Sequence, residues 1–312
     1  MCDNGGQMIK YSKSEFKTEA EAKSFVCQCE NDFEARLSSL TEAVCKEKDL
    51  RVITLSGPTC SGKTTASKKL VEAFAKHSKR INIISIDDFY YDKEKLHELS
   101  KLKGMDKVDY DSVDTIDLDC LRNVVEEIFD DVPGDVHAPI FDFVEGKRVG
   151  YKTLECTDND IFVFEGIQAL YPEVHALFKK HSYCDIFICV ESSIAVGGAV
   201  FEPNEIRLLR RLVRDNHFRA TDPDFTFNMW DGVRENEENN IFPYAHNCKY
   251  RVDSAFLCEI SLLRPYLEEM FSSYNESNKN YEKAKNILSK ISHIEPLPKK
   301  YLSNDSFYFE FI

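Results

Sequence analysis

The chain has 312 residues, enough for one large domain or two medium ones with a full core. A formal net charge of −14 argues against a nucleic-acid partner, since nothing here would neutralise phosphates broadly. No run approaches the length that crosses a bilayer, and the polar start Met1–Gly6 lacks the apolar stretch of a signal peptide, so no membrane partner is expected. Eleven cysteines are scattered without paired metal spacing. That is the pattern of reduced intracellular thiols, and it places the chain in the cytoplasm.

Residues 1–50 read as a helical extension. Thr18 with Glu21, and Asn31 with Glu34, each have the spacing of a helix start, which predicts two helices. Phe25, Val26, Phe33, Leu37, Leu40 and Val44 give them an apolar face, for packing or for a partner, without visible chemistry.

Arg51–Ser56 is a short apolar, β-branched run and reads as a buried strand. Gly57-Pro58-Thr59-Cys60-Ser61-Gly62-Lys63-Thr64-Thr65 follows and matches the phosphate-loop pattern G-x-x-x-x-G-K-[ST]. From Thr65 to His77 a helix is predicted, with Leu70, Val71 and Phe74 on one face. A strand turning through a glycine loop into a helix aims backbone N–H groups and the positive helix end at one point, which favours a di- or triphosphate. Lys63 then reaches the β- and γ-phosphates, and the Thr64 hydroxyl sits on Mg²⁺. Cys60 serves there as a small filler.

Asn82–Ile86 is a second buried strand, ending at Asp87-Asp88-Phe89-Tyr90-Tyr91. Asp92–Asp117 is charged and irregular, a surface excursion near a ligand. Leu118–Phe129 has helical spacing. Val136–Phe143 and Arg148–Leu154 read as a hairpin across Glu145-Gly146-Lys147, and Asp160–Glu165 and Cys184–Val190 are further apolar strands. Apolar strands alternating with helices predict an α/β fold, a parallel sheet covered on both faces. Beyond Glu276 come a helix to about Ser292, Pro296, Pro298 and the aromatic run Phe307–Phe311, expected to dock on the domain.

Ligands of a parallel sheet bind outside the carboxyl ends of its strands. Thr64, Asp87 and Glu165 all fall at such ends, and two carboxylates near a lysine and a phosphate loop suit a Mg²⁺–nucleotide site. Asp87 is the candidate base, with a plain helix cap as its alternative; Asp88 is read as structural. Arg207, Arg210, Arg211 and Arg214 gather positive charge on one predicted helix. Arg207, Arg211 and Arg214 share a face there, which suits a lid over a transferring phosphoryl group. The alternative is a solvated helix paired with Glu205 and Asp215.

Together these features resemble the uridine kinase and phosphoribulokinase family of P-loop kinases, from about Arg51 to Leu267. The resemblance is carried by Gly57–Thr65, Ser85–Tyr90, Tyr110–Asp117, Pro139–Phe143, Phe164–Ile167 and Arg207–Asp215. The segment from Met229 and Trp230 through Ile241–Tyr244 to Asp253–Ala255 looks most like a uridine kinase-like branch. The resemblance implies a P-loop kinase domain over 51–275, with the hairpin near the acceptor site and a helical lid; 276–312 is the C-terminal helix and tail expected to pack on it. It implies Asp87 as general base toward a nucleoside 5′-hydroxyl, Asp111 on the ribose hydroxyls, and Tyr90 and Phe141 at the substrate. Glu165, Thr64 and Asp87 attend Mg²⁺, while Arg207, Arg210 and Arg214 serve the phosphates and the lid beside Lys63. The chain departs from the family in two places: Phe141 and Gly146 stand where uridine kinases read the pyrimidine with Tyr and His, and Ala220-Thr221 stand for Gly-Arg in the lid. The expected function is transfer of the γ-phosphate of ATP (or GTP) to the 5′-hydroxyl of a nucleoside, uridine or cytidine first, with a homo-oligomer left open. The alternatives are a kinase of a sugar phosphate or a pantothenate-like alcohol, for which Lys147, Arg148 and Lys152 would supply cations, and a non-catalytic nucleotide-binding regulator.

Overall fold

A computed structural model describes residues 8–11, 16–104, 108, 110, 112–130 and 133–312. In chain order it contains β1 (Met8–Lys10), α1 (Glu19–Val44), β2 (Val52–Ser56), α2 (Lys63–Ala75), β3 (Arg80–Ser85) and α3 (Lys93–Leu102). Next come α4 (Leu118–Asp130), β4 (Gly134–Asp142), β5 (Lys147–Cys156), β6 (Asp160–Glu165), α5 (Pro172–Phe178) and β7 (Tyr183–Cys189). The chain continues through β8 (Ser193–Val196), β9 (Ala199–Phe201), α6 (Pro203–Arg219), α7 (Pro223–Asn240) and α8 (Phe242–Ala245). It closes with β10 (Tyr250–Asp253), α9 (Glu259–Met270) and α10 (Tyr281–Ile291).

Five strands form one sheet in the order β10-β7-β2-β6-β3, with every neighbouring pair parallel. Successive side chains of a strand point to opposite faces, so each strand feeds two cores. Ile53, Leu55, Ile161 and Val163 pack on one side with Phe33 of α1, Phe74 of α2 and Leu209 of α6. Val52, Phe162, Phe164 and Ile84 pack on the other with Leu121 of α4 and Phe178 of α5. This is the α/β sheet with helices on both faces that continuous apolar strands predict. With β6 and β7 on either side of β2, the loop after β2 emerges mid-edge, where parallel sheets place their ligands.

β4 and β5 pair antiparallel, as the hairpin reading expects, and their register shifts between Ile140 and Phe141. Such a bulge re-aims the next side chain, here Phe141. A small second sheet joins β1, β8 and β9, which the sequence reading did not find. Nor did it find α3, whose Leu96 and Ser100 lie buried four residues apart within the stretch read as irregular.

The two predicted N-terminal helices are one. Thr18 and Glu21 do form a capping box at the start of α1. Asn31 lies in mid-helix, because Val26, Cys29, Phe33, Leu37, Leu40 and Val44 keep a helical repeat straight through it. Phe33 of α1 stacks on Phe307 at 3.9 Å between ring centres, and Phe307, Tyr308, Phe311 and Ile312 are buried. Cysteines among the described residues are all free thiols, and no described helix is long and apolar enough to cross a membrane.

Candidate active site

The loop after β2 is shaped by its glycines. A side chain at Gly57 would overlap the Ile188 carbonyl of β7, and Gly62 has φ +90°, a left-handed turn that starts α2 without a side-chain cap. Lys63 Nζ donates to the carbonyls of Gly57 at 2.8 Å and Pro58 at 3.1 Å. Burial pushes its ammonium below the ordinary lysine value, while Glu165, Glu310 and Asp87 pull it back up. Ser61 Oγ is buried with no hydrogen-bond partner among the described residues, and Thr64 stands exposed at the mouth. The loop therefore holds unspent donors at the end of a helix, where anions are favoured.

Strand register brings the carboxylates to this loop. Glu165 at the end of β6 pairs with Leu55 on one side and Ser85 on the other, two residues before Asp87. A side chain at Gly166 would press on Ile86 at 2.9 Å, so glycine lets the two strand ends close up. Burial raises the Asp87 carboxyl above the usual range, with Lys63 opposing and Asp88 adding to the rise. Glu165 is raised likewise, by burial first and then by Asp87 and Glu310 against the pull of Lys63. Each carboxylate is thus held as a better proton acceptor than a free one. Asp88 accepts the Phe141 N–H at 3.3 Å and ties the turn to the hairpin, in keeping with a structural part.

Gln168 is a member of this site that sequence reasoning missed. It is buried, its Nε2 donates to Tyr90 Oη at 2.9 Å, and both side chains lie near enough to Asp87 to draw its raised carboxyl back down. An amide inside the apolar stretch after Glu165-Gly166 was the available signal. Among the described residues no group of three His, Cys, Asp or Glu side chains could hold a metal alone. Thr64, Asp87 and Glu165 are nonetheless hard oxygen donors around one lysine, and they fit Mg²⁺, which keeps waters and phosphate oxygens rather than a full protein cage.

The face expected to meet the acceptor is aromatic. Tyr90 meets Phe141 at 6.0 Å and Tyr110 at 6.4 Å, both edge-on, and Phe143 lies 5.2 Å from Phe141. Asp111 lies outside the described residues. Gly146 has φ +68°, and a Cβ there would stand 3.0 Å from the Lys93 side chain of α3. This position is a turn packed on a helix, not a platform for a base-reading side chain. The nearby cations are engaged: Lys147 with Glu145 at 2.6 Å, Arg148 with Asp117 at 3.0 Å, and Lys152 with the Ile83 carbonyl at 3.3 Å.

The arginines of α6 sit differently from the sequence expectation. Arg207 and Arg210 have no exposed surface and form paired bonds with Glu237 and Glu259. Arg207 also donates to the Thr59 carbonyl at 3.1 Å and Arg210 to that of Cys60 at 3.2 Å. Both therefore brace the loop from behind, and Arg207 is turned away from the open face expected for it with Arg211 and Arg214. The helix expected as a lid is packed into the domain through Ile206, Leu209, Leu212 and Val213. The reason is its apolar repeat, which turns Arg207 and Arg210 inward with it. Arg214 pairs with Asp215 at 2.8 Å and lies near enough to Glu310 to feel its charge. Ala220 ends the helix at φ +49°, where the family pattern has glycine.

The family model described as Phosphoribulokinase / Uridine kinase family matches residues 52–256. The chain belongs to this family. It is 24% identical over 172 residues to uridine-cytidine kinase C of Dictyostelium discoideum, covering 55% of this chain and 31% of that protein. It is 26% identical over 185 residues to uridine-cytidine kinase 2-B of Danio rerio, covering 57% and 63%. A uridine kinase of Streptococcus pneumoniae (strain Hungary19A-6) matches at 26% over 182 residues, covering 58% and 74%. The match thus spans a third to three quarters of these relatives. Among solved structures, a possible uridine kinase from Bacillus stearothermophilus superposes with a TM-score of 0.45 at 14% identity, covering 71% of this chain and all of that one. D-glycerate 3-kinase from Cryptococcus neoformans gives 0.34 at 19%, covering 47% and 53%. Likeness at that level adds nothing about the acceptor.

Proposed function

We propose that this P-loop kinase transfers the γ-phosphate of ATP (or GTP) to the 5′-hydroxyl of a nucleoside, uridine or cytidine first. One observation carries the reading: Asp87, with its carboxyl raised by burial, stands between the loop lysine and the aromatic wall of Tyr90 and Phe141. The loop amides and Lys63 hold and orient the donor's phosphates, and Arg207 and Arg210 keep that loop in shape. Asp87 accepts the proton of the acceptor hydroxyl as it attacks in line, while Gln168 and Tyr90 fix the carboxylate. Tyr90 and Phe141 stack on the base, and Asp111 is assigned to the ribose hydroxyls. Mg²⁺ held by Thr64, Asp87 and Glu165 would neutralise charge on the transferring phosphates. The names of the relatives support a pyrimidine nucleoside, and the engagement of Lys147, Arg148 and Lys152 speaks against a sugar phosphate.

The test is a screen of nucleosides, sugar phosphates and pantothenate-like alcohols with radiolabelled ATP. Label on uridine or cytidine is the expected outcome. Label on a sugar phosphate alone rejects the nucleoside reading, and nucleotide binding without transfer to any acceptor points to a regulator.

A further inference from the structure

The loop that should receive the donor's phosphates already holds a carboxylate of this chain. Glu310 Oε2 accepts the backbone N–H of Thr65 at 3.1 Å and its Oγ1 at 2.7 Å. Thr65 is the third residue of α2, so its N–H is one of the helix's first four, which no carbonyl of the helix takes and which attract anions. A local cap does not explain the arrangement. Gly62 offers no side chain, and Glu310 arrives from 245 residues away.

The segment that delivers Glu310 is shaped to lie there. Ser306 caps its turn through the Tyr308 N–H at 3.3 Å, and the Phe307 ring covers Gly62, 3.7 Å from where a Cβ would stand. Phe307 and Tyr308 both pack on Phe256, with ring centres at 5.2 and 5.1 Å. The charged groups around Glu310 are Lys63 and Arg214, which attract it, and Glu165, which repels it.

We propose that the segment 306–311 is an internal competitor for the phosphate loop, with the Glu310 carboxylate holding donors that a nucleotide phosphate would take. This rests on the phosphate-loop reading above and adds regulation to it. The same N–H and hydroxyl cannot serve both anions at full strength. A nucleotide therefore enters by lifting this segment, and whatever holds the segment away activates the enzyme.

The experiment compares the full chain with Glu310→Gln, whose fold is checked by thermal melting. Calorimetry gives the dissociation constant for Mg–ATP, and steady-state kinetics give the KM values of donor and acceptor. Hydrogen exchange follows the Phe309 and Phe311 amides, which are bonded within the turn at 3.2 and 2.9 Å. Glu310→Gln should bind nucleotide about tenfold tighter, by the worth of a charge-assisted bond. Its donor KM should fall in step while the acceptor KM stays put. Saturating nucleotide should speed exchange at both amides in the unaltered chain. Equal or weaker binding by Glu310→Gln, or amides as protected with nucleotide as without, overturns the competitor and leaves the phosphate-loop reading standing. Absence of nucleotide binding in both proteins overturns the two together.

Discussion

Arg207 and Glu237 meet in a two-pronged buried ion pair, at 2.7 and 2.6 Å, and the same two side chains grip both faces of Thr59 in the phosphate loop. Arg207 donates to the Thr59 carbonyl at 3.1 Å, and Glu237 accepts the Thr59 N–H at 3.3 Å. Removing one partner leaves a buried charge unanswered. Glu237→Ala should therefore cost about 3–5 kcal/mol of stability. Denaturant unfolding measures this, and calorimetry should show weaker nucleotide binding in the fraction that folds.

Asp87 separates chemistry from binding. Asp87→Asn keeps the size of the side chain and removes the proton acceptor. Turnover should fall by about 10²–10⁴, the usual worth of a positioned base, while nucleotide affinity stays near that of the unaltered chain. If affinity collapses with turnover, the main work of Asp87 is at the metal.

The hairpin yields a prediction about specificity. Gly146→His would restore the family residue but forces a side chain into a left-handed backbone against Lys93. It should cost about 1–2 kcal/mol of stability and bring no gain in pyrimidine use. Phe141→Ala should raise the acceptor KM several-fold and leave the donor KM alone, since stacking is worth about 0.5–1.5 kcal/mol. Acceptor kinetics on the two variants decide both points.

Ala220 is the converse case, an ordinary side chain at φ +49° closing α6. Ala220→Gly should stabilise the chain by about 1 kcal/mol, read as a shift of the unfolding midpoint at constant slope.

Acid should act through Asp160. Burial alone would raise its carboxyl, but hydrogen bonds from Arg80 and Thr157 outweigh burial and hold it below the usual carboxylate range. A depressed carboxyl stabilises fully above its unfolded pKa, about 3.9, and loses that contribution as pH falls through the folded value. Asp160→Asn should lower stability at pH 7, and the gap to the unaltered chain should close as pH drops below about 4. Unfolding curves across that range test the sign.

The sequence by itself determined the parts whose signals are local. Strand, loop and helix around Gly57–Thr65 were legible because glycine and lysine spacing encodes a backbone shape without reference to the rest of the chain. The same holds for the apolar strand ending at Glu165 and for the hairpin around Gly146. Asp87 and Glu165 were placed together on the general rule that parallel strands end at one edge, and the register Ser85 to Glu165 brings them there. Tertiary packing decided the rest. A run of arginines carries the same charge whether it faces water or the core; the apolar repeat of α6 turns Arg207 and Arg210 inward, and only the fold brings Glu237 and Glu259 there to meet them. Gln168 looked like one polar residue in an apolar stretch until Tyr90 was beside it. Glu310 was one acid in an aromatic tail, and no local pattern links it to Thr65, because a contact across 245 residues exists only once the chain has folded.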